Sequence, residues 1–326
     1  MLVHRDINNL PAFRNAVVTI GTFDGVHTGH LQIIHQLKKE AFAIHGETVI
    51  ITFDPHPRMV IHPAKQNKPI QLLTTLEEKI ELLEQQDIDH VVVVPFTEKF
   101  SEQTPAEYIQ NFLVEKFHPH TVIIGYDHHF GKDRKGNYKL LEQYQSAFNY
   151  KVKEIPEHVL HHIIISSTNI RNALNENDIA TANECLGYSY FFEGTVMHGD
   201  KLGRTLGYPT ANVAVNDKNK LIPANGIYAV RAAIQRSAAK HQAIVNHQPS
   251  MAHFKGMMSI GFRPTVGGTS RVIEVNIFDF NEDIYDKIIR VYVEHFLRPE
   301  IKFDTLGSLK QQMTLDKINS LQLLGD

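Results

Sequence analysis

Continuous apolar runs alternate with helically spaced apolar positions through the first half of the chain. Residues 16–20, 48–53, 90–95, 121–125 and 151–155 read as strands. The unbroken Val and Ile of 91–94 and 122–124 suit strands buried on both faces. Between them, 31–44, 75–86 and 105–117 carry apolar residues at helical spacing. This alternation predicts an α/β fold, a parallel sheet with crossover helices. Ligands of such sheets bind beyond the carboxyl ends of the strands. After about Gly187 the helical spacing fades. Short β-rich runs follow at 190–197, 227–235, 257–262, 271–280 and 287–296, punctuated by Gly, Pro and Asn. They predict a compact antiparallel barrel or sandwich. Residues 305–324 read as a closing helix, and 175–186 as a helical joint between two domains.

The residues that follow the predicted strands carry the candidate chemistry. Residues 21–30 read G-T-F-D-G-V-H-T-G-H and hand a strand over to a helix. A helix start offers unpaired N–H groups and the positive end of its dipole, which suits phosphate. His27 and His30 sit in this turn, and their H-x-G-H spacing resembles the ATP-phosphate motif of nucleotidylyltransferases. A helix cap with two incidental histidines, in a chain with 20 His, is the plain alternative. Residues 52–57, T-F-D-P-H-P, fix an extended loop at a strand end, either a pocket wall or a simple loop. Residues 124–137 combine glycine, aromatic, acidic and basic side chains after a buried strand, in keeping with a nucleotide or flavin loop. The pair His128-His129 does not suit a metal, because adjacent residues rarely face one ion. In 165–171, I-S-S-T-N-I-R, hydroxyls at a helix start precede Arg171 by one turn, as a phosphate site or a simple cap.

The second half has its own glycine-rich loop. Residues 194–212 contain four glycines with Lys201 and Arg204, but lack the ending of a Walker loop. Thr210 and Asn212 fall two residues apart, on one side of an extended chain. Both are hard oxygen donors that suit Mg²⁺ bridging nucleotide phosphates, although a plain barrel hairpin would also contain such a loop. In 271–280, Val272, Glu274, Asn276 and Phe278 share one face, and Ile273, Val275 and Ile277 the other. Glu274 is therefore an exposed-face residue or a buried base.

Composition narrows the field. A length of 326 residues suggests two domains. A net charge of −3 disfavours extended nucleic-acid binding. The single cysteine, Cys185, excludes an intrachain disulfide and fits a reducing cytosol. Residues 1–11 have no apolar signal core, and no run is apolar enough to span a bilayer, so a cytoplasmic protein without a membrane partner is expected.

Taken together, 20–30, 52–57, 125–136, 165–171, 194–212, 256–265 and 274–303 resemble, in order, the bacterial bifunctional riboflavin kinase/FMN adenylyltransferase family, the FAD synthetases. The resemblance implies a Rossmann-like nucleotidylyltransferase domain at 1–184. A six-stranded antiparallel β-barrel riboflavin kinase domain with a C-terminal helix would follow at 185–326. It further implies ATP-dependent phosphorylation of riboflavin to FMN, then adenylylation of FMN to FAD with release of pyrophosphate. Riboflavin, FMN, FAD and ATP are the implied ligands, Mg²⁺ the implied cofactor, and self-association is compatible with the pattern.

Residue by residue, the resemblance makes Glu274 the kinase base. It makes His27 and His30 the stabilisers of the ATP α-phosphate. Gly21, Phe23, Asp24 and Gly25 would bind ATP phosphate in that turn, and Ser167, Thr168 and Arg171 would hold the departing phosphates. Asp127, Pro55 and His56 would line the flavin or ATP pocket. Gly199, Lys201, Gly203, Arg204, Gly207, Thr210 and Asn212 would form the phosphate loop of the kinase, with Thr210 and Asn212 as magnesium ligands. The chain departs from the family pattern at Thr22, His128, Tyr188 and Asn276. A monofunctional enzyme or a non-catalytic flavin-binding regulator are the rival readings. Retention of both motif sets argues against each.

Overall fold

The computed structural model describes residues 1–61, 70–155, 165–199, 202–234, 253–265 and 268–325. Contacts divide the chain into two compact units, Met1–Ser167 and Thr168–Asp326.

The first unit is built on a parallel sheet. Its strands are β1 (Leu2–His4), β2 (Val17–Ile20), β3 (Thr48–Asp54), β4 (His90–Pro95), β5 (Thr121–Gly125) and β6 (Lys151–Ile155), in the spatial order β1-β4-β3-β2-β5-β6. Every pairing is parallel. Val17, Val18, Val49, Ile50, Ile51, Val91, Val92 and Val122 are wholly buried, which explains the unbroken apolar runs. The helices that matter here are α1 (Thr28–Ala43), α2 (Leu76–Glu84) and α3 (Tyr138–Phe148). The strand order reverses at β2, which pairs with β3 on one side and β5 on the other. The crevice beyond β2 and β5 is the place where sheets of this kind receive ligands.

The second unit is a closed antiparallel barrel. Its strands are β7 (Tyr190–Met197), β8 (Ala211–Ala214), β9 (Gly226–Ile234), β10 (His253–Thr265), β11 (Gly268–Ile277) and β12 (Ile288–Arg298). They close in the order β10-β11-β8-β7-β12-β9, so the barrel alternative prevails over the sandwich. Two short helices lead into it, α4 (Ser167–Asn175) and α5 (Ile179–Leu186). Helix α4 opens on the last residue of the first unit and continues into the second. Asp178 caps α5, and Gly187 ends it in the left-handed region. The segment expected to be a joint packs on the barrel. Asn183 donates to the carbonyl of Val293 (2.9 Å) and accepts from the amide of Tyr190 (2.8 Å).

Helix α6 (Leu306–Leu324), capped by Thr305, closes the chain. A two-pronged ion pair ties it to the barrel, with Arg298 donating to both oxygens of the buried Asp316 at 2.9 and 2.7 Å.

Candidate functional site: two phosphate-handling centres

The first centre grows from the end of β2. The chain leaves Ile20 through a turn in which Phe23, Gly25 and Val26 all have positive φ (47°, 83° and 37°). A β-branched valine in that region is strained, and strain of this kind persists only where surroundings enforce it. Asp24 does the enforcing. Its carboxylate, 1% exposed, accepts from the amides of Leu73 (3.0 Å) and Thr74 (3.1 Å), just ahead of α2. The Gly25 amide donates to the Thr74 hydroxyl at 3.1 Å. Asp24 thus fastens the turn to its neighbour.

The turn delivers His27 as the N-cap of α1, so the helix starts three residues earlier than its apolar spacing suggests. His27 Nδ1 accepts from the His30 amide (3.4 Å), which places the proton of a neutral His27 on Nε2. The His27 and His30 rings stack at 3.7 Å between centroids, and Phe23 lies 4.9 Å from His30. Burial above all, then His27 and Lys79, pushes the His30 imidazole well below its ordinary 6.5. His30 Nδ1 is buried and has no hydrogen-bond partner among the described residues. His30, held neutral, thus keeps an unspent polar atom in this turn.

Three more of the expected residues, Pro55, His56 and Asp127, follow the ends of sheet strands. Pro55 and His56 follow the end of β3, with a cis Asp54–Pro55 peptide, and the Arg58 amide donates to His56 Nδ1 at 3.1 Å. Asp127 is exposed, two residues past the end of β5. Beside it, His128 has a buried, unpartnered Nε2, and burial lowers its pKa to about 4. The loop from Gly125 folds back on itself, with Phe130 bridged to Gly136 and stacked on Tyr108. Ser167 opens α4 and donates to the carbonyl of Asp24 at 3.1 Å. Thr168 and Arg171 lie on that helix within the second unit.

Sequence reasoning missed Lys79. It lies on α2, 6% exposed, and donates to the Thr52 hydroxyl at 3.3 Å. Thr52 in turn donates to the carbonyl of Thr22 at 3.0 Å. A signal was present: Lys79, Leu82 and Leu83 are spaced i, i+3, i+4, so the lysine shares the buried face of its helix.

The second centre lies on the barrel. Ile273, Val275 and Ile277 are buried, and Glu274 stands on the opposite face of β11, its side chain 15% exposed rather than solvated. Asn212 of β8 is its register partner. The Thr210 hydroxyl donates to Glu274 Oε1 at 3.3 Å, and the Arg263 guanidinium pairs with Oε2. Arg263 was not foreseen.

Two glycines of the loop are needed for stated reasons. A Cβ on Gly199 would fall 2.1 Å from the Asn212 side-chain amide, and Gly207 adopts φ +87°. Gly203 receives the amides of Leu206 (3.1 Å) and Tyr208 (2.8 Å), which curls the loop around it. Arg204 stands in the short helical turn Leu202–Thr205, and Lys201 lies outside the described residues. Asn276, a departure from the family pattern, is buried and donates to the carbonyl of Pro209 at 2.6 Å, bracing the chain next to Thr210.

A pocket of about 210 Å³ adjoins this cluster, lined by Leu206, Ile227, Phe303 and Met313 as well as Thr210 and Glu274. Arg263, Arg298, Glu300 and Asp316 line it too, so an apolar wall suited to a flat heteroaromatic ring stands beside charged groups. Thr210 and Asn212 offer two neutral oxygens beside one carboxylate. This set fits Mg²⁺ that takes its remaining ligands from water and phosphate, and is too sparse for a cage of protein ligands. No cluster of three or more His, Cys, Asp or Glu side chains capable of holding a metal occurs among the described residues.

A parallel sheet with stacked histidines beyond its switch point, followed by a barrel with a carboxylate beside a glycine-rich loop, is the frame of a two-centre nucleotide-dependent transferase. Comparison with known proteins agrees. Residues 10–169 match the model of the FAD synthetase family, and residues 186–324 that of riboflavin kinase. The bifunctional riboflavin kinase/FMN adenylyltransferase of Listeria monocytogenes is 38% identical over 93% of this chain and 90% of its own. Its Escherichia coli K12 namesake is 31% identical over 100% and 98%. The chain belongs to the bifunctional riboflavin kinase/FMN adenylyltransferase family. A crystal structure titled a macrolide-efflux protein, from Streptococcus pneumoniae, superposes with a TM-score of 0.81 at 28% identity, covering 98% of each chain. That title describes the other protein. Among the described residues here, no helix is long and apolar enough to cross a membrane.

Proposed function

We propose that the two centres divide flavin cofactor synthesis between them. The barrel centre phosphorylates riboflavin to FMN, and the sheet centre joins FMN to AMP from a second ATP, giving FAD and pyrophosphate. The observation that carries this division is the contrast between Glu274, a carboxylate held against a hydroxyl and a guanidinium, and His27/His30, a stacked pair at a helix start.

In the kinase reaction the nucleophile is an alcohol, which must lose its proton. Glu274 takes the proton of the ribityl hydroxyl while its oxygen attacks the γ-phosphorus of ATP and ADP leaves. Thr210 and Arg263 orient the carboxylate. Thr210 and Asn212 would hold Mg²⁺, which neutralises phosphate charge when bound. Gly199, Gly203, Arg204 and Gly207 shape the phosphate loop, joined by Lys201.

In the adenylyl transfer the nucleophile is the FMN phosphate, already ionised. Its oxygen bonds to the α-phosphorus as the bond to the β-phosphate oxygen breaks. No strong base is needed, and positioning with charge stabilisation suffices. His27 Nε2–H and His30 stabilise the α-phosphate. Gly21, Phe23 and Gly25 shape the turn, and Asp24 positions it through Leu73 and Thr74. Ser167, Thr168 and Arg171 hold the departing phosphates, and Pro55, His56 and Asp127 face flavin or ATP. We place the protein in the cytoplasm, in keeping with its single, buried cysteine.

Supplying riboflavin, ATP and Mg²⁺ and separating the products by chromatography tests this reading. FMN should appear first and FAD after it. FMN without FAD, or neither, would contradict it.

A further inference from the structure

The T-F-D-P-H-P and H-x-G-H motifs are linked by a residue that neither contains. Lys79 carries its ammonium into the first centre at 6% exposure; burial lowers its pKa, and Asp24 and Asp54 oppose that shift. Its Nζ donates to the Thr52 hydroxyl, and Thr52 donates onward to the Thr22 carbonyl between the two motifs. An ammonium has three donors. Among the described residues, this one has a single hydrogen bond and no carboxylate oxygen in ion-pair contact. Asp24, the obvious counter-charge, spends its oxygens on the Leu73 and Thr74 amides.

Leaving donors of a buried cation unspent is costly, and native interiors rarely do so without a reason. The neighbours identify the reason. Lys79 lies within electrostatic reach of His30, Asp24 and Asp54, and its field helps to keep His30 neutral. Adenylyl transfer must bring a phosphate dianion against a triphosphate. A neutral His30 can donate a hydrogen bond to these anions, but cannot offset their charge. A cation in water-poor surroundings can, because its field is weakly screened there.

We propose that Lys79 is a phosphate-binding residue of the adenylyltransferase centre, its two unspent donors reaching a phosphoryl oxygen of FMN or ATP seated beside His30. The proposal rests on the adenylyltransferase reading above. It explains why a lysine sits on the apolar face of α2, and why α2 is anchored to the histidine turn through Asp24 and Thr74.

The test uses the full chain with Lys79→Met, which keeps the stem and removes the charge. Lys79→Gln serves as a second variant, since it can still donate to Thr52. Binding of FMN, of a non-hydrolysable ATP analogue and of inorganic pyrophosphate is measured by calorimetry, alongside melting temperature and both activities. Loss of charge-assisted hydrogen bonds should weaken at least one of these ligands about 10- to 100-fold. Adenylylation should fall about 10²-fold. Riboflavin phosphorylation should stay within a few-fold, and melting temperature should hold or rise, because a desolvated charge has been removed. Weaker FMN binding alone assigns the FMN phosphate, and weaker analogue binding alone assigns the nucleotide. Unchanged binding in both variants overturns the proposal. So does a fall in melting temperature that accompanies the loss of binding in both, since that marks a structural lysine. If the unsubstituted chain failed to convert FMN to FAD, the adenylyltransferase reading itself would fall, and the pyrophosphate titration would still decide whether Lys79 binds phosphate.

Discussion

The two centres solve opposite electrostatic problems with opposite materials. In the sheet centre the polar groups are packed away: Asp24 is 1% exposed, Lys79 6% and His27 6%. The carboxylate there is consumed by backbone amides, and the imidazole of His30 is held neutral by burial. In the barrel centre the carboxylate is also mostly covered, but it is held by side chains, with one oxygen on a hydroxyl and the other on a guanidinium. The difference follows from the nucleophile. A phosphate arrives charged and needs donors and cations fixed in place, whereas an alcohol arrives neutral and needs an acceptor for its proton. A site built for the first task can be dry and rigid. One built for the second must keep its carboxylate ionised.

The largest expected effect breaks the comparison at the barrel. Glu274→Gln keeps shape and removes the proton acceptor, so riboflavin phosphorylation should drop about 10²–10⁴-fold. FAD formation from supplied FMN and riboflavin binding should stay near the unsubstituted values. A kinase rate within a few-fold of normal, or joint loss of melting temperature and flavin binding, would defeat the catalytic assignment.

Next, His30→Ala should lower FAD formation from FMN about 10²–10³-fold while sparing riboflavin phosphorylation. Equal falls in both activities would make the histidine pair structural.

A third effect concerns the kinase unit standing alone. A fragment 168–326 should fold and make FMN but no FAD. A fragment 186–326 should melt lower, because it lacks the buried Ile170, Leu174, Ile179 and Ala182 and the bonds of Asn183. Each fully buried large aliphatic side chain contributes roughly 1.5–3 kcal/mol. Equal melting temperatures for the two fragments would show that α4 and α5 add nothing to the barrel.

The smallest effect is a pH dependence confined to the sheet unit. His30 and His128 are both pushed below 6.5 by burial, His128 to about 4. Below pH 6.5 the unfolded chain takes up protons that the folded chain refuses. The stability these groups contribute is present above 6.5 and is lost as pH falls, for His128 between 6.5 and about 4. Urea midpoints measured from pH 7 to 4 should decline, and His128→Asn should flatten the decline. Identical slopes in the two proteins would count against a buried, neutral His128.

The parallel sheet and most barrel strands were legible because apolar period and burial coincide. Strand β1 was not, because Leu2 and Val3 are exposed at the sheet edge and leave no apolar pattern. Nor was β8, four residues inside a glycine-rich loop. The true start of α1 was hidden because His27, an unusual cap, supplies the first acceptor. Motif residues were legible as groups, but their tasks were not. Asp24 reads as a phosphate neighbour and turns out to anchor a loop 49 residues away. Lys79 and Arg263 look like surface cations until the fold brings them to Thr52 and Glu274.

The central claim, that the two chemistries rest on separate residue sets within one chain, is tested most directly by mixing the His30→Ala and Glu274→Gln proteins. With riboflavin, ATP and Mg²⁺, each variant alone should make little FAD, for opposite reasons: one accumulates FMN, and the other leaves riboflavin untouched. Combined, the first supplies FMN and the second converts it, so FAD should appear at a rate far above the sum of the separate reactions. A mixture that makes no more FAD than its components would contradict the account.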